Sequence, residues 1–213
     1  ELAAHWKPGG HSCPASPAAG GPGQPGAPVA DGDFHKGVAF SHEGGPRGGY
    51  GSRRAAHVLE SFPAMGVNAV SLPPYGFLRQ HDQPRLGMFT GESDEALDQA
   101  TYVARRAGLR VALKPQIWLS GGQWSGQIAF NSRADWQTWW ARYRQWILHY
   151  ARLAELNGSA LFVVGTELGG TTAPEQGQEQ AWRRIIADVR RVYHGPLTYA
   201  AHWGREFQTL PFW

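Results

Sequence analysis

The chain repeats one order of elements: a helical stretch, a glycine that closes it, and a short apolar run. The closing glycines are Gly66, Gly108, Gly158 and Gly195, and the apolar runs cover 36–41, 67–72, 109–113, 160–164 and 196–201. Strands that alternate with helices form right-handed βαβ units in a parallel sheet. Nearly continuous apolar runs indicate strands that are buried on both faces. The sequence therefore predicts an α/β fold with five parallel strands and four intervening helices.

The predicted helices are amphipathic. They cover 52–65, 93–107, a long stretch from Ser132 to Gly158, and a fourth that carries Trp182 to Tyr193. Glycine just past a helix end supplies the left-handed conformation that most residues resist. Asp135 follows Ser132 by three residues, which is a weak capping box for the start of the third helix.

Two architectures fit this pattern, a doubly wound sheet and a β/α barrel. The glycines after the first strand, at 44–45 and 48–49, lack the Gly-x-Gly-x-x-Gly spacing of a dinucleotide site. That absence weakens the nucleotide-binding form of the doubly wound fold. The chain has 213 residues, and a complete β/α barrel usually needs about 250. Both architectures stay open on the pattern alone.

The first 34 residues differ in composition from the rest. They consist mainly of Pro, Gly, Ala and Ser, with few large apolar side chains. Such a segment cannot bury enough apolar surface to offset its ordering entropy. We predict a flexible tail or linker over 1–34, followed by one domain over 35–213.

Composition and charge exclude several classes of protein. The 20 basic residues exceed the 17 acidic ones by only three, and they are spread along the chain without a basic run, which argues against nucleic-acid binding. Cys13 is the only cysteine, so a disulfide framework or a cysteine-based metal site is not predicted. No apolar run approaches the roughly 20 residues of a membrane span.

A single carboxylate, Glu167, stands where the apolar run 160–166 ends. A buried strand cannot hold an unpaired charge in the core, because desolvation costs several kcal/mol. At the carboxyl end of a barrel strand, however, the carboxylate can face a cleft, and catalytic residues of barrel enzymes lie there. A surface glutamate that only caps a helix or pairs with Arg is the alternative.

Polar and aromatic residues follow every predicted strand. They are His42, Glu43, Tyr75, His81, Asp82, Lys114, Gln116, Trp118, Trp124, Thr166, Glu167, His202, Trp203, Arg205 and Glu206. If the strands close into a barrel, these residues converge on one face of it.

Three chemistries are compatible with this set. A glycosidase uses two carboxyl groups beside aromatic side chains that stack on the sugar. Glu167 fits the acid/base role, and Lys114 and His202 could tune its pKa or bind sugar hydroxyls. A metal hydrolase could use His42, His81 and His202, but these lack the spacing of known zinc motifs. Serine hydrolase chemistry is disfavoured because no Gly-x-Ser-x-Gly is present. No metal or cofactor is predicted.

Tryptophan is over-represented, with ten in the chain. Those within helical patterns are predicted to serve packing; they are Trp136, Trp139, Trp140, Trp146 and Trp182. Trp118, Trp124 and Trp203 lie at strand ends or in the loops that follow. There, packing and stacking against a sugar ring are equally open, because loops on a rigid scaffold often carry binding residues.

Several stretches together resemble glycoside hydrolase family 113. They are Leu113-Lys-Pro-Gln-Ile-Trp118, Trp124-Ser-Gly126, Tyr150-Ala-Arg-Leu-Ala154, Val164-Gly-Thr-Glu-Leu168 and Leu197-Thr-Tyr-Ala-Ala-His-Trp203. The resemblance runs from about Lys36 to Trp203 in family order. It implies a (β/α)8 barrel, of which about five strands are present here, and a retaining β-mannanase activity.

The resemblance also implies roles for residues. Glu167 is the expected general acid/base, and Lys114, Trp118 and Trp203 lie in or beside the sugar cleft. We add Tyr75, Trp124 and His202 to the predicted substrate-binding set from their strand-end positions. His202 departs from the family pattern, in which asparagine is expected at that position.

The family's nucleophile is a glutamate on a later strand, which we expect beyond Trp213. The chain is thus expected to be an amino-terminal part of the barrel, inactive alone, with Glu43 and Glu206 as the nearest substitutes for the nucleophile. The predicted substrate is β-1,4-mannan or a related polysaccharide. A non-catalytic carbohydrate-binding or scaffold protein is the alternative. The leader and such a substrate suggest a secreted or periplasmic location.

Overall fold

A computed structural model describes residues 34–41, 49–88, 93–210 and 212. Among these residues, five parallel strands form the main sheet in the order β1-β2-β5-β7-β8. Their bounds are β1 Gly37–Ala39, β2 Ala69–Leu72, β5 Arg110–Leu113, β7 Leu161–Thr166 and β8 Leu197–Ala200. The predicted α/β fold with a parallel sheet is confirmed. The predicted tail lies outside the described residues, apart from Phe34.

Helices connect successive strands of this sheet. The longer ones are α1 Arg53–Ser61, α2 Asp94–Arg106, α3 Arg133–Asn157 and α5 Glu179–Arg190. Two short helices, α4 Gly169–Thr172 and α6 Arg205–Thr209, follow β7 and β8 and had no counterpart in the sequence pattern. Short 3₁₀ turns cover Phe62–Met65, Ser120–Gly122, Ser125–Gln127 and Pro174–Gln176. Within the described part of the chain, no helix is both long and apolar enough to cross a bilayer.

Serine residues begin three of these helices. The hydroxyls of Ser52, Ser93 and Ser132 each accept a hydrogen bond from the backbone N–H three residues later, which satisfies one donor of the exposed first turn. Gly158 ends α3 in the left-handed conformation, with φ of 67°. The predicted start and end of this long helix are therefore confirmed.

A second, smaller sheet extends the ends of two strands. It has the order β4-β3-β6 and contains β3 Tyr75–Leu78, β4 Gly87–Met88 and β6 Gln116–Leu119. Prolines at 73, 74 and 115 interrupt the two long strands, because proline has no N–H to donate to the ladder. The two strands stay paired across the break, where Gln116 N–H donates to Pro74 O at 2.9 Å. The sequence pattern missed these extensions.

Aromatic side chains fill the space between the main sheet and helices α3 and α5. Trp139, Tyr143 and Trp182 are fully buried there. The Tyr143 hydroxyl donates to Val164 O at 2.7 Å, and burial raises the pKa of this tyrosine, so the phenol remains a donor. The prediction that the helical tryptophans pack is confirmed by their burial, which is complete or partial for all five.

Candidate active site

Glu167 directly follows β7 and holds an unusual backbone conformation. Its φ is +49°, the one positive value for a non-glycine residue in the described ranges. Its N–H donates to Ala200 O at 2.8 Å, and its carbonyl accepts from the Ser125 hydroxyl at 3.2 Å. A residue in this region is strained and persists only where neighbours fix it, which is common at active sites. The main chain of Glu167 is thus fixed by the end of β8 and by the 3₁₀ turn Ser125–Gln127.

The side chain of Glu167 is half-buried and has one hydrogen-bond partner. Trp124 Nε1–H donates to Glu167 Oε2 at 3.1 Å. No other described residue forms a hydrogen bond with this carboxyl. The Trp124 indole is 43 % exposed, and so it also forms part of the surface beside the carboxyl.

Two further predicted residues join this cluster. The His202 ring lies 4.8 Å from the Trp124 ring, and Trp203 lies 5.3 Å from His202, measured between centroids. Trp203 is 86 % exposed. The structure therefore brings together Trp124, Glu167, His202 and Trp203, which we call the carboxylate cluster.

Tyr75 and Trp118 form a second aromatic group. Their rings meet edge to face with centroids 6.2 Å apart, and the Trp118 side chain is 58 % exposed. They lie on β3 and β6, which continue the carboxyl ends of β2 and β5. Because β2, β5, β7 and β8 are parallel, this group and the carboxylate cluster lie at the same end of the fold.

Lys114 directly follows β5 and lies between Tyr75 and Trp118 in the sequence. It is half-buried, and its ammonium group forms no hydrogen bond or ion pair with any described residue. The Thr166 hydroxyl donates to Pro115 O at 3.3 Å, so the residue before Glu167 is next to the residue after Lys114. Among the described residues, no hydrogen bond or ion pair links the Lys114 side chain to the carboxylate cluster.

Of the histidines considered for a metal site, the structure describes His81 and His202, and each has another partner. His42 lies outside the described residues, as does Glu43. His81 hydrogen-bonds to Gln123, and His202 packs on Trp124. Over the described ranges, no group of three His, Cys, Asp or Glu side chains could hold a metal ion.

The surroundings of Glu206 do not suit it as a substitute for the nucleophile. It is only 7 % exposed. Its carboxylate accepts hydrogen bonds from Tyr199 OH at 2.5 Å, from Thr172 Oγ1 at 2.9 Å, and from His202 N–H at 2.7 Å. A carboxylate occupied in this way has no free face for attack on a substrate.

The Tyr199 hydroxyl also contacts the loop after Glu167, because it accepts from the Leu168 N–H at 2.8 Å. Burial, together with the adjacent Glu206 carboxylate, raises the pKa of Tyr199 well above its usual value. Sequence reasoning gave Tyr199 no role within the site and considered Glu206 only as a substitute for the nucleophile. The only signal was the position of Tyr199 within the last predicted strand and of Glu206 in the loop after it, which many structural residues share.

The sequence profile of Glycoside Hydrolase Family 113 matches residues 38–213. No match was found among curated proteins.

Three solved structures are similar to this fold. A GH113 β-mannanase, AaManA from Alicyclobacillus acidocaldarius in complex with ManMIm, is 28 % identical with a TM-score of 0.77, over 86 % of this chain and 59 % of that one. A complex of a GH113 β-1,4-mannanase is 26 % identical, with a TM-score of 0.75, over 85 % and 59 %. Another structure of a GH113 β-1,4-mannanase is 25 % identical, with a TM-score of 0.76, over 85 % and 59 %. The chain thus spans about three-fifths of the length of the structures it matches.

Proposed function

The chain belongs to glycoside hydrolase family 113, with part of that family's (β/α)8 barrel, and from this we propose that it carries the acid/base site of a retaining β-mannanase. The observation that carries the proposal is the carboxyl of Glu167. It lies at the end of a barrel strand and accepts from one indole N–H, and its second oxygen has no hydrogen-bond partner among the described residues. Exposed aromatic rings flank it on the same end of the fold.

In the proposed reaction, Glu167 first acts as an acid. The proton on its carboxyl passes to the glycosidic oxygen while the bond from that oxygen to the anomeric carbon breaks. A second carboxylate attacks the anomeric carbon and forms the glycosyl-enzyme. The Glu167 carboxylate then takes a proton from water, whose oxygen attacks the anomeric carbon and releases the second carboxylate.

The second carboxylate must lie about 5–5.5 Å from Glu167 in a retaining enzyme. Glu206 is unsuitable because three hydrogen bonds occupy its oxygens. We assign the nucleophile to a glutamate of the complete protein that is not among the described residues.

The aromatic groups are suited to binding sugar rings. Indole and phenol faces can stack on the flat C–H faces of a pyranose, and Trp203, Trp118 and Trp124 are all partly or largely exposed. We assign Trp203, Trp124 and His202 to the sugar next to the cleaved bond, and Tyr75 and Trp118 to a more distant sugar. Lys114 is assigned to hydroxyl recognition, since its ammonium is not used by the described protein groups.

Incubating the complete gene product with β-1,4-mannan tests this proposal, with β-1,4-glucan as the matched control polymer. We expect release of reducing ends from mannan, with the β-anomer formed first when the products are followed by NMR. Release of the α-anomer would exclude retention. Binding of mannan with no release would instead support the non-catalytic carbohydrate-binding alternative.

Gly126 leaves room for the Trp124 indole, because a Cβ at this position would overlap the six-membered ring. Gly126→Ala should therefore displace the indole and break its hydrogen bond to Glu167. We expect activity on mannan to fall about tenfold, the effect of losing one charge-assisted hydrogen bond.

Gly169→Ala is the control, since a Cβ there would meet its nearest atom at 3.6 Å, an ordinary contact. The measurement is kcat/KM on mannan for both variants, with unfolding curves to compare stability. Equal activity of the two variants would show that the position of the Trp124 indole does not matter for the reaction.

A further inference from the structure

A buried set of hydrogen bonds connects Glu206 to the backbone that carries Glu167. We propose that Glu206 and Tyr199 are positioning residues, which hold the Glu167 carboxyl in its reactive orientation without contacting the substrate. This inference rests on the proposed acid/base role of Glu167. It assigns a function to two groups that the reaction itself does not use.

The connection begins at the strained turn. Glu167 has φ of +49°, and the next peptide N–H, that of Leu168, donates to the Tyr199 hydroxyl at 2.8 Å. Leu168 is only 1 % exposed, so water cannot readily replace this partner. An unpaired buried N–H is costly, and the hydrogen bond therefore favours the backbone conformation that turns Glu167 towards the cleft.

Glu206 determines the direction of the Tyr199 hydroxyl. The phenol must use its single hydrogen towards the carboxylate at 2.5 Å, which leaves its lone pairs for Leu168. The raised pKa of Tyr199 keeps this hydrogen in place over the working range of a glycosidase. The Leu168 N–H donates to the Tyr199 hydroxyl, and the Tyr199 hydroxyl donates to the Glu206 carboxylate. The direction of both hydrogen bonds is therefore fixed.

The same carboxylate also fixes the opposite side of the cluster. Its other oxygen accepts from the His202 N–H at 2.7 Å, and the His202 ring packs on Trp124, which in turn donates to Glu167. Glu206 is therefore linked to Glu167 by two routes, through the main chain at Leu168 and through the Trp124 indole. Both routes begin at a buried side chain.

The Tyr199 ring is positioned by a glycine in β7. A Cβ at Gly165 would lie 2.6 Å from Tyr199 Cε2 and 2.8 Å from Trp182 Cη2. The strand that ends in Glu167 thus has no side chain where the ring crosses it. This close approach lets the hydroxyl reach the peptide three residues further along.

Tyr199→Phe and Glu206→Gln in the complete gene product test the inference. Tyr199→Phe removes only the hydroxyl, whereas Glu206→Gln replaces one acceptor oxygen with a donor. The control is Tyr193→Phe, since Tyr193 is also buried and its hydroxyl donates to Ser159 O at 2.8 Å, far from the cluster.

Each protein is assayed on mannan and on 2,4-dinitrophenyl β-mannoside, whose leaving group needs no proton. A positioning role predicts that kcat/KM on mannan falls by about tenfold to a hundredfold, the range expected for a lost buried hydrogen bond. The fall on the activated substrate should be less than about threefold. Azide, which attacks without a general base, should restore turnover of the glycosyl-enzyme.

A merely structural role would lower both activities in the same proportion, and that outcome overturns the inference, as does wild-type behaviour of both variants. If Glu206→Gln does not fold, Tyr199→Phe alone decides between the outcomes. Wild-type protein and Glu167→Gln are measured alongside. An inactive wild type would overturn the proposed function, whereas an active wild type with unselective Tyr199 and Glu206 variants would overturn only the positioning role.

Discussion

Glu167→Gln should reduce turnover of unactivated mannan by about a hundredfold to ten-thousandfold, the contribution usual for a positioned acid/base. The amide has nearly the same shape, and its oxygen can still accept from Trp124 Nε1–H, so the fold around it should persist. What it loses is the ability to give a proton to the leaving oxygen and to take one from water. The measurement is kcat and kcat/KM on β-1,4-mannan with the complete gene product.

The matched control is Glu175→Gln. Glu175 lies in the 3₁₀ turn Pro174–Gln176, and its side chain is 56 % exposed and 3.7 Å from Arg205. An exposed pair of this kind contributes little, so this variant should match the wild type in activity. Unchanged turnover in Glu167→Gln would remove Glu167 from the mechanism.

Azide distinguishes loss of the base from loss of the fold in Glu167→Gln. With 2,4-dinitrophenyl β-mannoside, the first step needs no acid, so the glycosyl-enzyme should accumulate. Added azide should then raise kcat and yield β-mannosyl azide, because it attacks without a general base. An unfolded or misassembled variant would show no such recovery.

The fold could be predicted from the sequence because local signals agreed with tertiary ones. Ser132 and Gly158 marked the two ends of α3, and apolar runs marked all five strands of the main sheet. The prolines at 73, 74 and 115 concealed the extensions β3 and β6. Proline opposes strand formation locally, but neighbouring N–H groups keep the two strands paired across the prolines.

The candidate site was predictable only in part. Glu167, Trp124, His202 and Trp203 come together because parallel strands bring their carboxyl ends to one edge. The burial of Glu206 could not be foreseen, since a glutamate four residues after His202 is typical of an exposed helix. Its surroundings come from Thr172, Tyr199 and the His202 peptide, which are distant in sequence or belong to the backbone.

For the tryptophans, the sequence offered two roles, packing in the core and stacking against a sugar ring. Stability measurements distinguish them. Trp182→Ala should lower the free energy of unfolding by about 3–5 kcal/mol, the usual cost of emptying a large aromatic site in a core. Trp182 is fully buried, its rings pack against Tyr199 and Phe212, and its Nε1–H donates to Thr171 O at 3.1 Å. Domains are stable by only about 5–15 kcal/mol, so the loss is severe.

Trp203→Ala is the informative partner for this variant. Its indole is 86 % exposed, and the free energy of unfolding should change by less than about 0.5 kcal/mol, while KM for mannan should rise. Chemical denaturation of both variants, with mannan kinetics for Trp203→Ala, makes the comparison. A similar loss of stability in the two would mean that the Trp203 indole packs against protein, and its assignment to the sugar next to Glu167 would fall. A large loss in Trp182→Ala alone separates the aromatic residues that build the barrel wall from those that face its cleft.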